Sequence, residues 1–249
     1  MCVDCGCSAP ASPLPVQHLE LGAALLGRND ALAAQLRQRF GAAGLPVLNL
    51  LSSPGSGKTA LLERLGAALR AAGRRVAVIV GDLATDNDAR RLQAAGLTAV
   101  QITTGQACHL EASMVQRALQ ALSQPLEGFD LLVIENVGNL VCPAAYDLGE
   151  SLRLVLLSVT EGEDKPLKYP ATFHGADLVV ISKLDLLEAT GFDLAHARHH
   201  ISRVAPQARV LEVSARTGLG LAELVEQLGL AGFDASALAR LSPEVPFPV

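Results

Sequence analysis

In the stretch SSPGSGKTALLERL, Lys58 and Thr59 follow two glycines, Gly55 and Gly57. Glycines at that spacing let successive backbone N–H groups face one point, as in strand-to-helix loops that cradle phosphate oxygens. Ser53, Ser56 and Ala60 complete the loop, Lys58 is suited to the β- and γ-oxygens, and the Thr59 hydroxyl to Mg²⁺. Ser52 stands where the pattern G-x-x-x-x-G-K-T has its first glycine. A chance Gly/Ser turn is the alternative, and the apolar run before the loop and the helix-forming ALLERL after it argue against that.

Further along, ISKLDLL places Lys183 and Asp185 at N-K-x-D spacing, with Ser182 in the Asn position. A carboxylate there accepts from both the ring N–H and the exocyclic amine of guanine, a pair adenine does not offer, so it discriminates strongly. VSARTG supplies Ser214, Ala215 and Arg216, similar to the S-A-K loop that backs a guanine base. Each motif alone reads equally well as a surface loop; in this order, at successive strand ends, they point to GTP/GDP. In IENVGN, Glu135 and Gly138 hold the D-x-x-G positions, whose glycine N–H senses a γ-phosphate. Asp82, in GDLATDNDARR, is a second candidate carboxylate on the Mg²⁺ side, with a helix cap as its alternative; Asp86 and Asp88 read as caps. The expected catalytic set is therefore Lys58, Thr59, Asp82 and Glu135. Asn139 stands where fast GTPases keep a water-orienting glutamine, and its shorter amide predicts slow unassisted hydrolysis.

Of the five cysteines, Cys2, Cys5 and Cys7 crowd into the opening MCVDCGCS. Three thiolates and a terminal amine can wrap one Ni²⁺ ion in an S/N arrangement, and the ion itself orders such a loop. Cys108, beside His109 in TGQACHLEA, and Cys142, in ENVGNLVCPA, leave the carboxyl ends of strands, where α/β sites assemble. Each alone would be a buried apolar residue; together, thiolate beside imidazole suits a soft metal. One subunit offers three ligands, so a complete site is expected between two subunits. His196, His199 and His200 in AHARHH lie on a polar helical stretch without a thiolate or carboxylate focus and are not taken as a site.

These groups need a scaffold, and the pattern describes one. Apolar strands are expected at 47–52, 76–81, 98–102, 131–135, 153–159, 178–182 and 209–213, with helices at 59–72, 87–95, 110–123, 194–204 and 220–229. Short, nearly all-apolar strands alternating with helices predict an α/β fold: a mainly parallel sheet covered on both faces. The divisions expected are a metal-binding tail and proline-rich linker (1–16), one or two helices (17–43), the nucleotide domain (44–241) and a proline-rich end (242–249). The nine residues SAPASPLPV span at most ~30 Å, enough to bring the tail near the domain. A net charge of −5 and 3% aromatics, with no tryptophan, argue against a nucleic-acid partner. With no long apolar run and no signal-peptide pattern, no membrane association and a cytoplasmic location are expected.

With those motifs assembled, the chain resembles the nickel-delivering hydrogenase-maturation GTPases, the HypB family of the SIMIBI-class P-loop GTPases. The resemblance rests on C-x-x-C-G-C at the start, SSPGSGKT, GDLATDNDA, TGQACHLEA, IENVGNLVCPA and TEGEDKPLKYP. It implies a nickel site on Cys2, Cys5 and Cys7, a second nickel or zinc (Ni²⁺ or Zn²⁺) site on Cys108, His109 and Cys142, and a homodimer when GTP is bound. It implies as partners a zinc-binding nickel chaperone and the hydrogenase large subunit precursor. It also suggests that Lys165 and Lys168 reach a partner subunit's nucleotide; a charged surface loop is the alternative. The related urease-type nickel-insertion GTPase, and a metal sensor or storage protein using nucleotide only structurally, are the competing readings.

Overall fold

The computed structural model describes residues 16–230. The cysteine tail with its linker and the proline-rich end lie outside the described residues. The described residues begin with a long helix, α1 (Val16–Ala42), single and unbroken where one or two helices were expected. Seven strands follow: β1 (Val47–Ser52), β2 (Val76–Asp82), β3 (Thr98–Thr103), β4 (Leu131–Glu135), β5 (Leu152–Ser158), β6 (Leu178–Ser182) and β7 (Arg209–Glu212). Between them lie α2 (Lys58–Ala71), α3 (Asn87–Ala94), α4 (Ala112–Gln120), α5 (Lys165–Lys168), α6 (Pro170–His174), α7 (Leu187–Thr190) and α8 (Leu194–Val204), and α9 (Leu221–Gln227) comes last. All strand pairs are parallel, in the order β3-β2-β4-β1-β5-β6-β7.

The apolar strands are buried on both faces because their alternate side chains meet different helices. Leu48, Leu50, Val78, Val80, Val133, Leu154, Leu156 and Val180 share one core with Leu61, Leu65 and Leu69 of α2, Leu92 of α3 and Leu224 of α9. On the opposite face, Ala77, Ile79, Leu132 and Ile134 pack with Leu36 and Phe40 of α1 and Val115 and Leu119 of α4. Farther along that face, Val155, Leu157, Val179 and Ile181 meet Phe173 of α6 and Ile201 of α8. Among the described residues no helix is long and apolar enough to cross a membrane.

β1 lies at the centre, with β2, β3 and β4 on one side of it and β5, β6 and β7 on the other, so the order reverses beside β1. Crevices in open α/β sheets form at the carboxyl ends of strands where the strand order reverses. The loops leaving β1, β2, β3, β4, β5, β6 and β7 bring every candidate residue after position 52 to that one edge.

Candidate functional site

The loop between β1 and α2 is held open by backbone conformation. Gly55 (φ 72°) and Gly57 (φ 97°) take left-handed angles that side chains oppose, and Gly57 precedes α2 with no side-chain cap. The first N–H groups of α2 are thus left for an anion. Lys58 Nζ donates to Ser52 Oγ at 2.9 Å, so the serine replacing the pattern's first glycine gives the lysine an acceptor inside the loop. Burial lowers the Lys58 pKa below the ordinary lysine value, against the pull of Glu135.

Thr59 Oγ1 donates to Glu135 Oε1 at 2.9 Å. Burial pushes the Glu135 carboxyl up to about 7, although Lys58 and Thr59 work the other way. Its second oxygen, Oε2, is buried without a hydrogen-bond partner. An orphaned carboxylate oxygen beside a hydroxyl fits a hard, oxygen-seeking divalent cation such as Mg²⁺. The Asp82 carboxylate closes the turn after β2, accepting from the N–H groups of Ala84 and Thr85, both at 2.9 Å. Desolvation raises its pKa, but these bonds outweigh it and leave Asp82 below the usual carboxylate value. Asp82 therefore acts as a turn cap here, while remaining at the same strand edge as Lys58. Asp86 pairs with Arg90 at 2.8 Å and makes no side-chain cap.

Gly138 packs directly on the phosphate loop. A Cβ there would stand 3.0 Å from Pro54 Cα, so only glycine lets the segment after β4 approach so closely. On the other side, Lys183 has φ 59°, the only positive φ outside glycine among the described residues, and donates to Gly55 O at 2.7 Å. Ser182 Oγ donates to Ser56 O at 2.8 Å, and Ser214 Oγ to Asp185 Oδ1 at 2.6 Å. Ser56, Ser182, Lys183 and Asp185, with Gly57, Ala60, Ala215 and Arg216, border a cavity of about 190 Å³. The structure thus gathers the guanine-motif residues from two strand ends beside the phosphate loop. Lys165 also reaches this chain's own loop: its Nζ donates to Ser53 Oγ at 3.1 Å and pairs with Glu161 at 3.2 Å. Lys168 is exposed and paired with Asp164 at 2.7 Å.

The soft-donor group forms just beyond Glu135. Cys108 Sγ lies 2.9 Å from Cys142 Sγ and 4.0 Å from His109 Nδ1, and one donor atom from each of the three residues lies within 4.8 Å of the others. The two sulfurs are farther apart than the roughly 2.05 Å of a disulfide bond. Cys108 donates to Cys142 in a thiol hydrogen bond, which, with burial, raises the Cys108 thiol; Asn139 works against it. The His109 ring stacks on Tyr146, with centroids 3.9 Å apart, and its buried Nε2 has no hydrogen-bond partner. Two sulfurs and an imidazole suit Ni²⁺ or Zn²⁺ better than Mg²⁺, and three donors leave a four-coordinate ion one position short. This is the one such group found among the described residues. His196 instead pairs with Asp193 at 3.2 Å, and His200 Nδ1 lies 2.9 Å from Glu163 O.

Several contributors were not expected from sequence. Tyr146 supports the His109 ring, and Asn139 sends its amide to Cys108 O at 3.2 Å rather than toward the phosphate loop. Asn136 and Asn49 form a buried pair joined at 3.4 Å, and Asn49 continues to Glu150 at 3.0 Å. Asn49 within VLNLLS was the available signal: a polar residue inside an otherwise apolar strand needs a buried partner.

Fold and site together define a P-loop GTPase-type protein with a soft-metal donor group on its nucleotide edge. Residues 46–212 match the family model described as the CobW/HypB/UreG nucleotide-binding domain. A hydrogenase maturation factor HypB of Azotobacter vinelandii is 56% identical over 201 residues, which cover 80% of this chain and 65% of that protein. The chain thus spans about two thirds of that relative's length. A hydrogenase/urease maturation factor HypB of Helicobacter pylori is 47% identical over 194 residues, 77% of this chain and 79% of that one. The crystal structure of HypB from Helicobacter pylori in complex with nickel aligns with TM-score 0.76 at 44% identity, covering 83% of this chain and 99% of that one. The chain belongs to the CobW/HypB/UreG family, in its HypB branch.

Proposed function

We propose that this chain is a GTP-hydrolysing nickel metallochaperone that helps insert nickel into the hydrogenase large subunit. The observation that carries the reading is one continuous segment. Glu135 and Gly138 face the phosphate loop, and seven residues after Glu135 the same strand-to-loop run supplies Cys142 to the soft-donor group.

In this reading Asp185 and the Ser214–Arg216 loop hold guanine, Ser53, Gly55, Ser56 and Gly57 surround the phosphates, and Gly138 N–H meets the γ-phosphate. Water attacks the γ-phosphorus and the β,γ-bridging oxygen leaves with GDP, releasing phosphate. Mg²⁺, when bound by Thr59 with Glu135 or Asp82, draws charge from the β- and γ-oxygens. Lys58 sits at the same oxygens, and Ala60 continues the helix start behind them. With the Asn139 amide engaged at Cys108, no side chain in this segment is left to orient the water, so unassisted turnover is slow.

Nickel is the cargo. Cys2, Cys5 and Cys7 provide one holding site, and Cys108, His109 and Cys142 a second, completed between two subunits of a GTP-bound homodimer. Within that dimer Lys165 and Lys168 approach the nucleotide edge. The zinc-binding chaperone of hydrogenase maturation and the large subunit precursor are the partners, in the cytoplasm. The divisions 1–16, 17–43, 44–241 and 242–249 serve as metal-binding tail, N-terminal helical segment, nucleotide domain and end segment.

GTP turnover with and without Ni²⁺, beside a Lys58→Ala control, tests the reading. Slow GDP production that Ni²⁺ alters and Lys58→Ala abolishes supports it; no turnover in the wild type leaves a sensor or storage role. The name of the Helicobacter pylori relative includes urease. Nickel transfer to apo-urease but not to the hydrogenase precursor would therefore move the reading to the urease branch.

A further inference from the structure

We infer that Asn139, working beside the buried anchor Asn136, is the positioning residue that couples the nucleotide-sensing segment to the Cys108–His109 arm of the metal group, resting on the proposed GTP-linked metal site. Cys142 follows Gly138 along the chain, so nucleotide-driven movement of that segment reaches it through the backbone. Cys108 and His109 belong to a different loop, after β3, and need another connection. The structure supplies two. Asn139 Nδ2 donates to Cys108 O at 3.2 Å, and Asn136 Oδ1 accepts from Leu110 N at 3.3 Å. The Cys108–His109 dipeptide is therefore gripped on both sides by side chains from the stretch that carries Gly138.

The two grips differ in firmness. Asn136 is fully buried. Its Oδ1 also accepts from Val137 N at 3.0 Å, and its amide donates to Asn49 Oδ1 at 3.4 Å. That ties the bracket to β1, the strand feeding the phosphate loop. Asn139 is half-buried, and its Oδ1 accepts from Val141 N at 3.0 Å, next to Cys142. One asparagine thus bonds the backbone beside one thiol ligand and the backbone of the other. Shifting residues 136–139 toward or away from a γ-phosphate moves both arms, and their relative displacement changes the fit to an ion. A side-chain bridge of this kind has two ends, so metal binding must bias the nucleotide segment by the same free energy.

The test uses the full chain carrying Cys2→Ala, Cys5→Ala and Cys7→Ala, so that the tail does not compete. Ni²⁺ affinity is measured by titration, following the near-ultraviolet thiolate-to-nickel absorption, with GDP and with a non-hydrolysable GTP analogue. Asn139→Asp is the informative variant: its oxygen still accepts from Val141 N, but it has no proton to donate to Cys108 O. Asn139→Ala removes both bonds. In the parent the two nucleotides are expected to change the Ni²⁺ dissociation constant by at least about fivefold, the low end of ordinary allosteric coupling. In both variants the ratio should fall below about twofold, while the absorption band shows that nickel still binds through thiolate. A variant ratio equal to the parent's overturns the Asn139 bridge alone. A parent ratio of one overturns the bridge together with the nucleotide-linked metal site of the proposed function. Thermal unfolding of each variant identifies any loss of ratio that comes from loss of fold, and a ratio lost only in unfolded protein also counts against the bridge.

Discussion

Glu135 combines a nearly buried carboxyl, a single hydroxyl partner and an orphaned oxygen, and it carries a pH signature that can be measured without ligands. Burial places its folded-state pKa near 7, above the roughly 4.5 of an unfolded glutamate. The folded chain thus holds a proton that the unfolded chain releases between those values. The stability this contributes is complete below about 4.5 and is lost as pH rises through about 7. In nucleotide- and metal-free protein, urea unfolding from pH 5 to pH 8 should show this fall, by a few kcal/mol at most at about 1.4 kcal/mol per unit. Glu135→Gln should flatten that part of the profile, and an unchanged slope would place the titration elsewhere. Asp185 permits a second residue-scale prediction. Its carboxylate accepts from Ser214 and borders the base-sized cavity, so Asp185→Asn replaces an acceptor with a donor where guanine presents its ring N–H and amine. Competition binding should show GTP affinity falling by about 10²-fold or more. Xanthosine triphosphate, which presents an acceptor in place of the amine, should compete better with the variant than with the wild type.

At the scale of elements, α1 is joined through Asn29 to the loops that carry the soft-donor group. Asn29 Oδ1 accepts from Ala112 N, the first N–H of α4, at 2.9 Å, and its amide donates to Asp147 O at 2.8 Å. Glu111, the residue at the cap position of α4, makes no side-chain cap, so the helix is capped from α1. The surface pair Arg37–Asp147 adds little, because both groups remain substantially exposed. Asn29→Ala is expected to cost about 1–3 kcal/mol in denaturant unfolding, since it strands the buried Ala112 N–H and removes the partner of a half-buried carbonyl. GTP affinity should remain close to that of the wild type, because Asn29 makes no bond to the phosphate loop. The seven strands and five of the longer helices are legible in sequence because apolar runs and helical periodicity are local. The helices at 165–168, 170–174 and 187–190 are single turns, too short to show a period. The asparagine contacts escape for a different reason: Asn29 meets Ala112 and Asn49 meets Asn136 across 83 and 87 residues, with nothing local to mark either pair. The phosphate loop and the Cys108–His109–Cys142 group were visible as residue types, but Tyr146 beneath His109 became apparent only with the fold.

At the scale of the molecule, the carboxyl edge of the sheet has an unfinished character. Among the described residues the donor group offers three ligands, and large apolar side chains stand in solvent on the loops of this edge. Val141, next to Cys142, is 63% exposed, Leu83, next to Asp82, is 44% exposed, and Leu167, in α5, is 38% exposed. Each sits in a connection that follows the carboxyl end of a strand, Leu167 within the single-turn α5. Isolated exposed apolar residues need no explanation, but Val141 beside Cys142, with two more on loops and a short helix of the same sheet edge, fits a surface covered by a second copy. The metal argument and the apolar argument therefore favour the same face for the proposed GTP-bound dimer. A charge at its centre would have to be desolvated on association, so Val141→Asp should weaken the dimer without touching the guanine or phosphate residues. Light scattering with a non-hydrolysable GTP analogue should show the wild type dimeric and Val141→Asp largely monomeric at the same concentration, with GTP binding retained. Ni²⁺ added to the wild type should raise its dimer fraction, and Cys142→Ala should abolish that response. A Val141→Asp variant that dimerises as readily as the wild type would move the interface to another face. The fourth metal ligand would then have to come from within the chain.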